Sequence, residues 1–79
     1  MVNAYILILM EPGRSEKAIS QMRKIKNVEK ISVVAGEFDI VVRVNVKSLD
    51  NLLKVTEKLQ MIPGILKTTT QVIEKEIAL

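Results

Sequence analysis

The stretch that most constrains the fold is VNAYILILM, which runs from Val2 to Met10. Past Asn3 its side chains are apolar on both alternating faces, with Tyr5 and Leu7 on one face and Ile6 on the other. Such a pattern is typical of a strand with neither face in water. The unbroken apolar run is too short to cross a bilayer, and it lacks the flanks of a signal peptide. We therefore expect a soluble, cytoplasmic protein with no membrane partner.

Covering both faces of such a strand is difficult for a chain of 79 residues. A domain of this size buries only about two-thirds or less of the surface that its unfolded chain exposes. Small domains usually add disulfides, a metal or oligomerisation. The chain has no Cys and no His, which excludes disulfides, thiolate zinc sites and imidazole ligands. Because 48% of the residues are hydrophobic and nearly all of these are aliphatic, we expect association with further copies.

The hydrophobic spacing alternates between the periods of strands and helices and predicts the order β-α-β-β-α-β in one domain. Ser15 and Ser48 are the expected helix N-caps, and Pro63-Gly64 ends the second helix. The predicted strands are 2–10, 28–35, 40–46 and 65–73, the first helix ends near Lys26 and Asn27, and the buried face of the second carries Leu49, Leu52, Leu53, Thr56 and Leu59.

This order predicts an α+β fold of the ferredoxin-like type, a four-stranded antiparallel sheet with both helices on one face. The middle strands form a hairpin. The other sheet face stays bare, and a bare apolar face needs a partner. A second copy that stacks its sheet on the first is the simplest partner, and it gives a dimeric α+β barrel.

Two short motifs carry a family resemblance. Gly36-x-Phe38-Asp39 lies between the middle strands, and Gly64-Ile65-x-x-Thr68-x-Thr70 leads into the last strand. With these motifs the chain resembles, over essentially its full length, the ligand-binding and oligomerisation domain of the Lrp/AsnC transcription regulators, also called the regulation-of-amino-acid-metabolism (RAM) domain. Most members carry an N-terminal helix-turn-helix domain, whereas residues 1–79 open at the first strand. We therefore expect a stand-alone sensor domain without a DNA-binding domain.

The resemblance implies dimers whose sheets face each other, assembled into octamers or similar rings. It also implies a free amino acid as effector, bound where dimers meet, with no other cofactor, and full-length Lrp-like regulators as further partners. In the family the effector is held by the loop at the first motif and by the threonine-bearing segment. Carried over to this chain, the ligand-binding residues are Val34, Ala35, Gly36, Glu37, Asp39, Thr68, Thr69 and Thr70.

The chemistry of these residues agrees with an amino-acid ligand. Asp39 can accept from an ammonium, and backbone N–H groups and hydroxyls can donate to a carboxylate. Gly36 allows close approach of the backbone. The alternatives are an ordinary hairpin turn for Gly36 and Asp39, and simple β propensity for the threonines.

Other functions have less support. Without His and Cys no nucleophile lies beside an evident base, so we expect no enzyme. Gly13-Arg14-Ser15 could cradle a phosphate at a helix start, but this short pattern is weak evidence and is better explained by a turn and an N-cap. The net charge of +3 is scattered, Lys24 and Lys26 suit a solvated helix end, and no aromatic platform accompanies them. We therefore expect no specific DNA binding. A structural adaptor without a ligand remains the alternative function.

Overall fold

The predicted order of elements is confirmed by a computed structural model, which describes residues 1–79. The four strands form one antiparallel sheet in the order β2-β3-β1-β4, so the N-terminal strand lies in the middle. The elements are β1 (Val2–Met10), α1 (Ser15–Met22), β2 (Val28–Val33), β3 (Ile40–Val46), α2 (Leu49–Gln60) and β4 (Ile65–Val72).

The core lies between the helices and one face of the sheet. Every second residue of β1 and β3 is buried there, and Ile6 lies opposite Val42 in the register of the two strands. Burying an aliphatic side chain of this kind contributes about 1.5–3 kcal/mol. The predicted ferredoxin-like α+β fold is therefore correct. The 14 core residues are Ala4, Ile6, Ile8, Met10, Ala18, Met22, Ile40, Val42, Val44, Val46, Leu52, Val55, Leu59 and Ile62.

The first helix is shorter than the sequence predicts. Arg14, not Ser15, occupies the N-cap position, and it makes no capping hydrogen bond through its side chain. The helix ends at Met22, well before Asn27. Asn27 donates from Nδ2 to the carbonyl of Asn45 at 3.1 Å, so it belongs to the turn that enters β2. Local backbone bonds, such as that from the Val28 N–H to the Ile25 carbonyl, also form this turn. The prediction failed here because the turn depends in part on the contact with β3.

The second helix begins as predicted, since the Ser48 hydroxyl accepts from the Asn51 N–H at 3.2 Å. Its buried face differs from the prediction, because Leu49 and Leu53 are 62% and 59% exposed and Val55 is buried. The helix carries two apolar stripes with helical spacing. The stripe that contains Val55 packs against the sheet, whereas the stripe that contains Leu49 and Leu53 lies outside the core and is exposed.

The sheet face opposite the helices, called the open face below, is uncovered within the protomer. Its apolar strip consists of Tyr5, Leu7, Leu9 and Val41, of which Tyr5 is 38% exposed and the others are half-buried. Arg43, also on this face, forms ion pairs with Glu29 of β2 and Glu76 of the C-terminal segment, and the hydrogen bond that it donates to the Glu76 carboxylate raises the pKa of Arg43. None of the helices is long and apolar enough to span a membrane.

Candidate functional site

The hairpin loop between β2 and β3, residues 34–39, is anchored to the central strand by Asp39. The Asp39 N–H donates to the Ile8 carbonyl at 3.0 Å, and its carboxylate Oδ2 accepts from the Met10 N–H at 2.7 Å. The Val34 N–H in turn donates to the Asp39 carbonyl at 2.9 Å, which closes the loop. Asp39 thus has a structural role that spans 29 residues, instead of the local turn contact that was the alternative interpretation.

The Met10 amide needs this partner because the strand pairing is irregular at that point. The register of β1 against β4 shifts between Leu9 and Met10. Met10 is also a core residue, 5% exposed. An amide without a partner at such a position costs about 1–3 kcal/mol. The carboxylate of Asp39 therefore stabilises the end of β1 and fixes the hairpin loop beside it.

The rest of the hairpin loop has free polar groups. The backbone N–H groups of Ala35, Gly36, Glu37 and Phe38 donate to no protein acceptor, and the carboxylate of Glu37 forms no ion pair. Gly36 has a φ of +156°. Asp39 Oδ1 also lacks a protein partner. The hairpin loop therefore offers donors for a carboxylate, and the carboxylates of Glu37 and Asp39 as acceptors for an ammonium.

The three threonines lie on β4, but they do not form one cluster. Thr69 is opposite Leu7 and faces the open side of the sheet, whereas Thr68 and Thr70 are on the side of the helices. The Thr68 hydroxyl accepts from Gln60 Nε2 at 3.0 Å. Thr70 lines a shallow cavity of about 240 Å³ that includes Leu53 of α2.

The hairpin loop and the start of β4 nevertheless share one end of the sheet. Ile8 lies opposite Ile40 in β3 and opposite Thr68 in β4. Two strand spacings separate β3 from β4, which is about 10 Å. Among the predicted threonines, Thr68 therefore lies nearest to the hairpin loop, and Thr69 and Thr70 are progressively farther along the strand. No cavity of the isolated protomer is lined by residues 34–39.

Gly64, from the second motif, holds the neighbouring turn in place. Its carbonyl accepts from the Glu11 N–H at 2.7 Å, and its φ is +94°. A Cβ at this position would lie 2.7 Å from Arg14 Cβ. Arg14 is thus packed against Gly64, and its Nε lies 4.0 Å from Oε2 of Glu11. The turn and cap predicted for Gly13-Arg14-Ser15 did not include this packing contact. The sequence marked Gly64 as a turn residue but gave no sign of this contact.

Comparison with known proteins finds similarity over most of the chain. The family described as the Lrp/AsnC ligand binding domain matches residues 3–78. An uncharacterized HTH-type transcriptional regulator of Pyrococcus furiosus is 36% identical over 73 residues, covering 87% of this chain and 49% of the relative. The chain thus spans about half the length of the curated relatives that it matches.

Solved structures show the same fold. The crystal structure of FFRP-DM1 has a TM-score of 0.86 and 31% identity, and covers 92% of this chain and 99% of that one. A feast or famine regulatory protein of M. tuberculosis, solved in complex with L-methionine, has a TM-score of 0.86 at 22% identity, with 100% of this chain and 54% of that chain covered. On the family match over residues 3–78, the chain belongs to the family of Lrp/AsnC ligand-binding domains.

Proposed function

We propose that this domain is a regulatory module that binds a free amino acid through the hairpin loop and the start of β4, and that it is not an enzyme. The observation that carries this function is the set of free groups in the hairpin loop. Four consecutive peptide N–H groups, those of residues 35–38, lack acceptors, and Asp39 Oδ1 lacks a donor. An α-amino acid has the complementary pair, a carboxylate and an ammonium.

The walls of the site come from further copies of the chain. The isolated protomer has no cavity at residues 34–39, and a small-molecule site normally encloses most of its ligand. The open face, with Leu7, Leu9 and Val41, suits a sheet-to-sheet dimer. Dimers then assemble into a ring, and the hairpin loop of one dimer meets another dimer. Ligand binding and assembly are therefore coupled.

Similar proteins support this function. The M. tuberculosis neighbour was solved with L-methionine, so an amino acid is bound by a protein of the same fold. The curated relatives are HTH-type transcriptional regulators about twice as long as the part that matches this chain. Co-assembly with such full-length regulators, with the amino acid controlling it, is the regulatory role that we propose.

A thermal-shift screen of the twenty amino acids on the purified protein tests this function, with molecular mass measured by light scattering in parallel. We expect one or a few amino acids to raise the melting temperature and to change the distribution of assemblies. The matching amino alcohols and N-acetylated amino acids are the controls, because each lacks one of the two charges. No stabilisation by any amino acid, or equal stabilisation by the controls, would refute an amino-acid site.

The second candidate is an adaptor that assembles without a ligand. Its supporting observation is the Asp39–Met10 hydrogen bond of 2.7 Å, because it explains the carboxylate of the motif by stability alone. For an adaptor, the same screen gives a constant mass and a constant melting temperature with every amino acid.

A further inference from the structure

Four lysines surround a cavity at the end of the sheet away from the hairpin loop. Lys26 comes from the turn after α1, Lys47 follows β3, and Lys54 and Lys58 lie one turn apart on α2. The cavity has a volume of about 380 Å³ and is called the lysine cavity below. Lysines from three separate segments converge there, which explains why the charge looks scattered in the sequence.

No acidic side chain neutralises these lysines at the lysine cavity. None of them forms an ion pair, and no Asp or Glu lines the lysine cavity. Lys54 and Lys58 are four residues apart on α2, a spacing at which like charges destabilise a helix. Lys26 is four residues beyond the end of α1 at Met22, so the helix dipole does not account for it. Helix stability accounts for Lys58, which lies in the last turn of α2, and for Lys54, which follows Asp50 by four residues, but it does not account for Lys26 and Lys47.

We infer that the lysine cavity is a second binding site, for a small anion that carries two or more phosphate groups. Lysine ammonium groups are compact charges that bind phosphate, and four of them around one cavity match a multiply charged ligand. The side-chain amide of Asn51, which has no hydrogen-bond partner in the protein, adds a neutral donor at the wall. The volume lies in the range of small-molecule sites.

This ligand differs from the effector proposed above. A free amino acid carries an ammonium, which four lysines would repel. The two sites are also far apart, because β3 runs from Ile40 beside the hairpin loop to Val46 at the lysine cavity, about 20 Å at the rise of a strand. Duplex DNA fits less well, because the lysine cavity is concave and offers no Arg to read base edges and no aromatic ring for stacking.

Calorimetric titration with inorganic tripolyphosphate tests the inference directly. The variant for the cavity is Lys54→Gln with Lys58→Gln, and the matched control is Lys17→Gln with Lys75→Gln, which removes the same charge from exposed positions outside the lysine cavity. We expect the wild type and the control to bind with affinities within twofold of each other, and the cavity variant to bind at least tenfold more weakly. Melting curves of both variants verify that they are folded.

Three further titrations sharpen the result. ATP binding as tightly as tripolyphosphate supports recognition of the phosphates alone, and tighter ATP binding that is lost in the cavity variant supports a nucleotide in the same site. Citrate binding as tightly as tripolyphosphate would overturn the assignment to phosphate. The inference also fails if the wild type does not bind tripolyphosphate, if both double variants weaken it equally, or if a short DNA duplex binds more tightly at physiological salt.

Discussion

Replacing Gly64 by Ala probes the contact that holds the turn after β1 against the start of β4. An alanine Cβ would lie 2.7 Å from Arg14 Cβ, 3.1 Å from Arg14 Cγ and 3.3 Å from Met10 Cε. The backbone φ of +94° costs an L-residue about 1–2 kcal/mol. Overpacking of this kind adds about 1–3 kcal/mol. We therefore expect Gly64→Ala to lower the free energy of unfolding by about 2–5 kcal/mol.

Gly13→Ala is the matched control for this change. Gly13 has a similar φ of +82°, but a Cβ there would meet no heavy atom within 4 Å. Only the backbone term of about 1–2 kcal/mol applies to it. The difference between the two variants therefore measures the steric contact with Arg14 and Met10.

Urea unfolding followed by circular dichroism measures both variants, at one fixed protein concentration because assembly adds to apparent stability. In a domain of this size each kcal/mol lowers the melting temperature by about 4–8 °C. Gly64→Ala should therefore unfold at a lower urea concentration than Gly13→Ala, and its melting temperature should also be lower. If Gly64→Ala is no less stable than Gly13→Ala, the inference that Gly64 leaves no room for a side chain beside Arg14 is wrong.

Three further predictions concern stability, assembly and DNA. Asp39→Ala should cost about 1.5–3 kcal/mol in urea unfolding, because the Met10 amide loses a charged acceptor; Asp39→Asn should cost less, because its amide oxygen can still accept. Leu7→Lys, which puts a charge on the open face, should dissociate or unfold the assembly in light scattering, and a wild-type protein that is a stable folded monomer at micromolar concentration would contradict the dimer. Duplex DNA should bind only weakly and lose its binding at physiological salt in gel shifts, whereas a sequence-dependent shift at that salt would show that specific DNA binding was wrongly excluded.

The sequence predicted those parts of the fold that rest on strong local patterns. The bounds of β1 and β3 are as predicted, because the apolar residues of these strands continue without a break from Ala4 to Met10 and alternate regularly from Ile40 to Val46. The end of α1 was missed because Asn27 is held by Asn45 of β3, a contact between distant parts of the chain. The exposure of Leu49 could not be predicted because α2 carries two apolar stripes and only the sheet selects one.

The candidate site was predicted only in part for similar reasons. The place of the hairpin loop and of Thr68 at one end of the sheet follows from the predicted topology and is seen in the register. The contact between Asp39 and Met10 joins residues 29 apart and leaves no local pattern. The separation of Thr69 from its neighbours is different, since the alternation of side chains along a strand already implies it. The convergence of Lys26 with Lys54 required the packed structure.

Binding of a free amino acid by the hairpin loop is tested most directly by calorimetric titration of the wild type and Asp39→Asn with the best amino acid from the screen. Asparagine preserves the shape and an acceptor for the Met10 amide but removes the charge that would meet the ammonium. The account predicts that Asp39→Asn loses about 1.5–3 kcal/mol of binding free energy, a roughly tenfold to hundredfold weaker affinity. Equal affinities for the two proteins would remove Asp39 from the site, and the absence of binding by the wild type would contradict the amino-acid function itself.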